Sequence, residues 1–188
     1  MKVVLLQSSI VGSKTRTALE YVESVFKDKH PQIVVEMLDL ADYDLPFSDG
    51  RNYLEYTGDA GYVTKTLMEA DALIIGTPVF QASIPATLKN IFDLLPEEAF
   101  LDKVVGIIVT AGSSKHYLIA ETQLKPIISY MKGQLIQSYV FIEEKDFYRK
   151  EIINDDVLFR MDRLVEDVLS MAKALEDIRL AKEAEYGF

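Results

Sequence analysis

The sequence predicts an α/β protein whose parallel sheet is covered by helices on both faces. Short apolar runs alternate with segments of helical period along its 188 residues, and each β–α pair is short. Residues 103–110 (KVVGIIVT) are almost entirely apolar, as is typical of a strand that is buried on both faces. Strands and helices that alternate in this way form parallel sheets with right-handed crossovers.

Five strands are predicted. The first is rich in β-branched residues, which favour strands, and the last alternates polar with apolar residues. In chain order the predicted strands are residues 2–6, 33–38, 72–76, 103–110 and 135–142.

Five helices are predicted between and after these strands. In the first, apolar residues from Ala18 to Phe26 recur at helical spacing. Pro85 suits the first turn of the third helix, whereas Pro126 is expected to kink the fourth. Residues 39–61 form a long irregular loop, a feature that is often functional. The predicted helices are residues 14–29, 62–69, 85–95, 116–132 and about 155–185.

Length and composition restrict the function classes. Residues 1–188 are expected to form a single domain. The net charge of −10 disfavours nucleic acid as a partner. Without cysteine, disulfides, thiol nucleophiles and iron–sulfur clusters are excluded, and two distant histidines, His30 and His116, do not favour a metal site. No segment reads as a signal peptide or a membrane span, so a cytoplasmic location is expected.

The loop after the first predicted strand, residues 7–16, indicates a phosphate site. Its small hydroxyl residues and Gly12 leave backbone N–H groups uncovered, and the following helix adds partial positive charge. Ser9, Ser13 and Thr15 can also donate hydrogen bonds. Neither GxxxxGK[ST] nor GxGxxG is present, which argues against ATP hydrolysis. Serines that merely cap the helix explain this loop equally well.

The loop after the third strand, residues 77–84, indicates an apolar wall. Val79 and Phe80 follow the stiff Pro78 at a place where polar residues are usual, and such a surface suits a flat, partly apolar ring. Taken alone, inward packing of Phe80 explains the loop better.

The loop after the fourth strand, residues 110–116, exposes backbone N–H groups that can bind the edge of a heterocycle. A plain turn capped by Ser114, with His116 as a packing or capping residue, is the alternative. Carboxyl ends of parallel strands meet at one edge of a sheet. The three loops together therefore predict a site for a phosphorylated planar heterocycle.

Three stretches of sequence indicate a family. They are Asp39-Leu40 with Leu45-Pro46; Thr77-Pro78-Val79-Phe80 running through residues 83–90; and Thr110-x-Gly112-Ser113-x-x-His116 followed by Leu124-Lys125-Pro126. In these stretches the sequence resembles the NADPH-dependent FMN reductase family, a branch of the flavodoxin-like fold. The resemblance implies a three-layer α/β/α sandwich with a five-stranded parallel sheet in the order 2-1-3-4-5. It also implies FMN as cofactor, with NADPH or NADH as hydride donor.

Carried over by position, the resemblance assigns three groups of residues to FMN. The phosphate group is Ser9, Gly12, Ser13, Lys14, Thr15 and Arg16. The residues at the middle of the cofactor are Pro78, Val79, Phe80, Gln81, Ala82 and Ser83. Those at the ring are Thr110, Ala111, Gly112, Ser113 and His116. Many members begin the first loop with Gly-Ser and an arginine two residues on, which this sequence lacks, so Lys14 and Arg16 are both candidates for the cation at the phosphate.

The resemblance also implies a homodimer or tetramer with FMN near a subunit boundary. The last predicted helix carries one apolar seam that includes Met161, Leu164 and Val168, and a second stripe that includes Val165 and Ala172. One stripe can cover the sheet while the other meets a partner subunit; a single broad stripe facing the core is equally compatible.

The implied reaction is hydride transfer from the nicotinamide to FMN, which requires no catalytic side chain because the flavin carries the chemistry. A flavin-dependent monooxygenase is a possible partner. One alternative is an FMN-containing reductase of quinones, azo dyes or chromate. The other is a flavodoxin-type electron carrier without a nicotinamide site.

Overall fold

A parallel sheet runs through the centre of the computed structural model, which describes residues 1–186. The strands are β1 (Lys2–Gln7), β2 (Val34–Asp39), β3 (Ala72–Pro78), β4 (Val104–Ala111), β5 (Gln134–Leu135) and β6 (Val140–Glu143). Their order is β2-β1-β3-β4, and both β5 and β6 pair with the outer edge of β4. This confirms the predicted flavodoxin-like order 2-1-3-4-5.

Helices cover both faces of the sheet. They are α1 (Lys14–Lys29), α2 (Gly58–Glu69), α3 (Ala86–Leu94), α4 (Lys125–Tyr130) and α5 (Asp155–Tyr186). Successive side chains of a strand point to opposite faces, so Val4 and Leu6 of β1 join one core with α2, α3 and α4. Val3 and Leu5 join the other core, with α1 and α5. The predicted three-layer sandwich is confirmed.

The single last strand predicted at residues 135–142 is wrong, because a bulge divides it into β5 and β6. Leu135 pairs with Val105 and Val140 with Ile108, so residues 136–139 lie opposite residues 106–107. The buried Lys125 lies against the bulge, where its Nζ donates a hydrogen bond to the Gln137 carbonyl at 2.8 Å.

The continuous helix predicted at residues 116–132 is also wrong. A 3₁₀ turn at Ser114–His116 and a π-helical turn at Ala120–Leu124 precede α4. Pro126 closely follows the π-helical turn, and Leu124 and Lys125 keep right-handed helical angles, so the chain changes from π-helical to α-helical geometry at the proline. A proline lacks the N–H that a continuous helical ladder needs, which explains the interruption at this place. An unpredicted antiparallel hairpin, β7 (Phe147–Tyr148) and β8 (Glu151–Ile152), follows β6.

Helix α5 packs with both of its predicted apolar stripes against the sheet as far as Ala172. Met161 and Val168 from one stripe and Val165 from the other are buried in the same core. Farther along, Ile178 is 52% exposed. The first half of α5 thus carries the single broad core-facing stripe. Among residues 1–186, no helix is both long and apolar enough to cross a membrane.

Candidate functional site

An open groove of about 360 Å³ lies at the carboxyl edge of the sheet. It is formed where β1, β3 and β4 end, and β1 and β3 flank the point at which the strand order reverses, the usual ligand site of such sheets. The structure thus brings together the three loops that the sequence singled out. The groove is lined by Val11, Gly12, Ser13, Lys14, Thr15, Pro78, Val79, Phe80, Thr110, Ala111, Gly112 and Glu144.

One end of the groove is the N-terminus of α1, which suits an anion. The first N–H groups of a helix have no intrahelical acceptors, and the first turn of α1 contains no acidic residue to neutralise them. Ser13 stands at the N-cap position but makes no side-chain capping bond there. Gly12 adopts φ +83°, a conformation that favours glycine. Ser13 therefore lacks the side-chain bond that the alternative, serines that only cap the helix, requires.

Ser9 does not line the groove. It stabilises the phosphate cradle, which is formed by residues 7–16 where β1 leads into α1. Its Oγ donates to the Val11 carbonyl at 2.7 Å, and the Gln7 side chain holds the Ser9 backbone with two hydrogen bonds of 2.7 Å. Sequence reasoning missed this role of Gln7, although an amide at the end of a buried strand was a signal. Next to it, the buried Ser8 Oγ has no hydrogen-bond partner within residues 1–186.

Lys14, not Arg16, is the cation in the groove. The Arg16 guanidinium lies outside, where it donates to the buried Asp39 at 2.9 Å and to Glu20 at 3.0 Å. Lys14 forms an ion pair with Glu144, the residue directly after β6. Glu144 was not predicted to line the site. Its position just beyond a predicted strand end was the only signal in the sequence.

Phe80 forms a side wall of the groove and is 40% exposed, so it does not pack inward. It begins a tight turn in which the Phe80 and Ser83 backbones exchange two hydrogen bonds of 2.9 Å. Gln81 and Ala82 at the tip both have positive φ angles, 48° and 58°. The unpredicted Gln123, from the π-helical turn, bonds Ser83 Oγ and the Ala82 carbonyl. Gln81, Ala82 and Ser83 thus form the turn and do not line the groove.

The third loop contributes Thr110, Ala111 and Gly112 to the groove. Ser113 and the half-buried His116 come after these residues and are not part of the lining. Ser113 precedes a 3₁₀ turn without a side-chain capping bond. The groove therefore combines an anion cradle, an apolar wall and a loop of small residues, which fits a phosphorylated ring. Fold and site together define a flavodoxin-like nucleotide-binding protein.

The chain belongs to the NADPH-dependent FMN reductase family, whose model matches residues 1–147. It is 36% identical over 177 residues to the NAD(P)H-dependent FAD/FMN reductase of Geobacillus thermodenitrificans NG80-2, covering 94% of this chain and 96% of that one. It is 36% identical over 106 residues to the FMN reductase (NADPH) of Escherichia coli K12, covering 55% of this chain and 56% of that one. The apo crystal structure of the NADH:FMN oxidoreductase EmoB superimposes with a TM-score of 0.78 at 23% identity, covering 90% and 89% of the two chains. Family membership confirms the predicted class, an oxidoreductase that uses FMN and NAD(P)H.

Proposed function

We propose that the groove binds FMN for reduction by NADPH or NADH. The phosphate lies at the N-terminus of α1 beside Lys14 and Thr15, and the ring system lies along Phe80. The observation that carries this proposal is the pairing of an uncompensated helix N-terminus with an apolar wall in one groove. An anion site alone suits many ligands, whereas the pair suits a phosphorylated ring.

Bound FMN supplies the chemistry by accepting a hydride from the nicotinamide. Backbone N–H groups of the loop that begins at Gly112 would lie along the edge of the ring and would stabilise the negative charge of reduced FMN. Phe80 and Pro78 hold the plane of the ring and keep water from it. No side chain serves as an acid or base, and Ser9, Ser13 and Gly12 act through the shape and the hydrogen-bond donors of the cradle.

The wider biological setting belongs to the same proposal. We propose that residues 1–188 act as one FMN-binding domain and that copies of the chain associate as a homodimer or tetramer. Exposed apolar side chains support association: Phe47 is 83% exposed, Leu54 74% and Phe159 66%. A flavin-dependent monooxygenase is a partner of matching chemistry, since it consumes reduced flavin. We propose a cytoplasmic location, because the reaction consumes NAD(P)H, which is regenerated there.

A steady-state assay of NADPH and NADH oxidation, with and without added FMN, tests this function. We expect oxidation that rises with FMN concentration and saturates, as for a flavin substrate. Turnover that needs a quinone or an azo dye while FMN stays bound identifies the reductase with a resident flavin. A protein that binds FMN but leaves both nucleotides unoxidised contradicts the proposal and identifies an electron carrier.

A further inference from the structure

We propose that Glu144 sets the affinity for FMN by competing with the FMN phosphate for Lys14. This inference rests on the proposed function. Both side chains line the groove, and the Glu144 carboxylate forms an ion pair with the Lys14 ammonium group. A phosphate that binds at the N-terminus of α1 therefore competes with Glu144 for Lys14, the only cation among the lining residues within residues 1–186.

The fold holds Glu144 in this position. It begins a 3₁₀ turn at Glu144–Asp146, and the buried Asp146 fixes this turn from within. One Asp146 oxygen accepts a hydrogen bond from the Glu143 backbone at 2.8 Å, and the other accepts from the Asn154 side chain at 2.7 Å. Because neither bond involves the Glu144 side chain, the carboxylate can leave Lys14 without disturbing the turn.

The ion pair between Lys14 and Glu144 is weak enough for a phosphate to displace it. The Lys14 side chain is 37% exposed and the Glu144 side chain 63% exposed, and ion pairs in such exposed positions are weak. A phosphate monoester carries a charge of about −1.5 to −2 at neutral pH and accepts more hydrogen bonds than a carboxylate. The phosphate therefore displaces Glu144 from Lys14. The free energy of FMN binding is nevertheless less favourable than it would be with an unpaired lysine.

Electrostatic repulsion adds to the effect after displacement. The turn keeps Glu144 on the lining of the groove, so its negative charge stays near the bound phosphate. Weakened binding of this kind suits a flavin that enters and leaves as a substrate. Glu144 is thus an affinity-determining residue that makes no contact with the reacting ring.

The test is a fluorescence titration of the flavin-free protein with FMN and with riboflavin. Glu144→Gln preserves the size of the side chain and removes its charge. We expect FMN to bind about three- to tenfold more tightly to this variant, and riboflavin to bind as it does to the wild type. Glu98→Gln is the matched control, since it removes the same charge from an exposed residue ahead of β4, at the opposite edge of the sheet.

The Lys14→Met variant separates the effect of the Lys14–Glu144 ion pair from the repulsion between Glu144 and the phosphate. If Glu144 acts mainly by pairing with Lys14, Glu144→Gln tightens FMN binding by a smaller factor in the Lys14→Met background, where only the repulsion of the phosphate remains. An unchanged or weaker FMN affinity in Glu144→Gln overturns the inference, as does an equal effect in Glu98→Gln or in the Lys14→Met background. If Lys14→Met leaves the preference for FMN over riboflavin unchanged, the phosphate lies elsewhere and the proposed site itself fails.

Discussion

The hydroxyl groups of Thr15 and Thr110 lie 2.7 Å apart and connect the first turn of α1 to the carboxyl end of β4. Both residues are buried and both line the groove. The two hydroxyl groups carry two protons, and their mutual hydrogen bond uses one of them. The second proton is available to a ligand oxygen. This pair therefore joins the cradle to the third loop and supplies the site with a donor.

Thr15→Val removes one hydroxyl group with little change of shape. We expect FMN to bind more weakly by about 1.5–3 kcal/mol, the usual loss for a hydrogen bond to a charged group, and riboflavin to lose less affinity. Thr110→Val should also weaken FMN binding. The double variant should lose less binding free energy than the two single variants together, because the two residues share one hydrogen bond. Fluorescence titrations measure all three. Equal losses for FMN and riboflavin in Thr15→Val would assign this residue to the fold alone.

Gly112→Val tests whether the ring lies against the third loop. A Cβ at Gly112 meets no atom of the chain within 4 Å, so the fold should tolerate valine while a bound ring meets the added side chain. We expect weaker FMN binding and slower NAD(P)H oxidation with an unchanged melting temperature by circular dichroism.

Gly112→Ala and Gly76→Ala complete that experiment. Alanine at position 112 should have a smaller effect on flavin. A Cβ at Gly76 instead lies 2.8 Å from Leu19 Cδ1 and 2.9 Å from Thr15 Cγ2, so Gly76→Ala should destabilise the fold by about 1–3 kcal/mol. A folded Gly112→Val protein with normal flavin affinity and turnover would place the ring elsewhere.

Glu36 should make the fold sensitive to acid. Partial burial raises the pKa of Glu36, but hydrogen bonds from Lys2 and Tyr62, together with the Lys2 charge, outweigh burial and hold the pKa below its usual value of 4.5. A carboxyl group with a depressed pKa contributes stability above its unfolded pKa, and this stability is lost as the pH falls through the folded pKa. Thermal melts from about pH 6 to pH 3 should therefore show a smaller loss in Glu36→Gln than in the wild type. Parallel losses in the two proteins would contradict this.

The oligomeric state is measured by light scattering. We expect a mass of two or four times 21.3 kDa at micromolar concentration, since association would bury the exposed apolar side chains. A mass of one chain only would remove subunit association from the proposal.

Most of the fold could be predicted because its signals are local. Apolar runs and helical spacing lie within single elements, and the order of the strands followed from the family resemblance. The bulge after β5 could not be predicted in this way, because the sequence does not show which part of the chain Lys125 contacts. Only the folded chain brings it to the Gln137 carbonyl.

In the candidate site, too, local features could be predicted from the sequence, whereas contacts between distant residues could not. Loops whose small residues leave backbone N–H groups uncovered, such as the loop at Gly12, could be identified from their composition and from their position after a strand. The choice between Lys14 and Arg16 could not, because it depends on Asp39, which binds Arg16 from the end of the neighbouring strand β2. Glu144 was missed for the same reason, since its contact with Lys14 spans 130 residues of chain.

A comparison of FMN and riboflavin binding to the flavin-free wild-type protein tests the proposed phosphate site most directly. The two ligands share the ring and the ribityl chain and differ only in the phosphate, which the N-terminus of α1 and Lys14 are proposed to hold. Fluorescence titration at low ionic strength should show FMN binding at least about tenfold more tightly, because charge-assisted hydrogen bonds are each worth about 1.5–3 kcal/mol. Equal affinities for FMN and riboflavin would contradict the account.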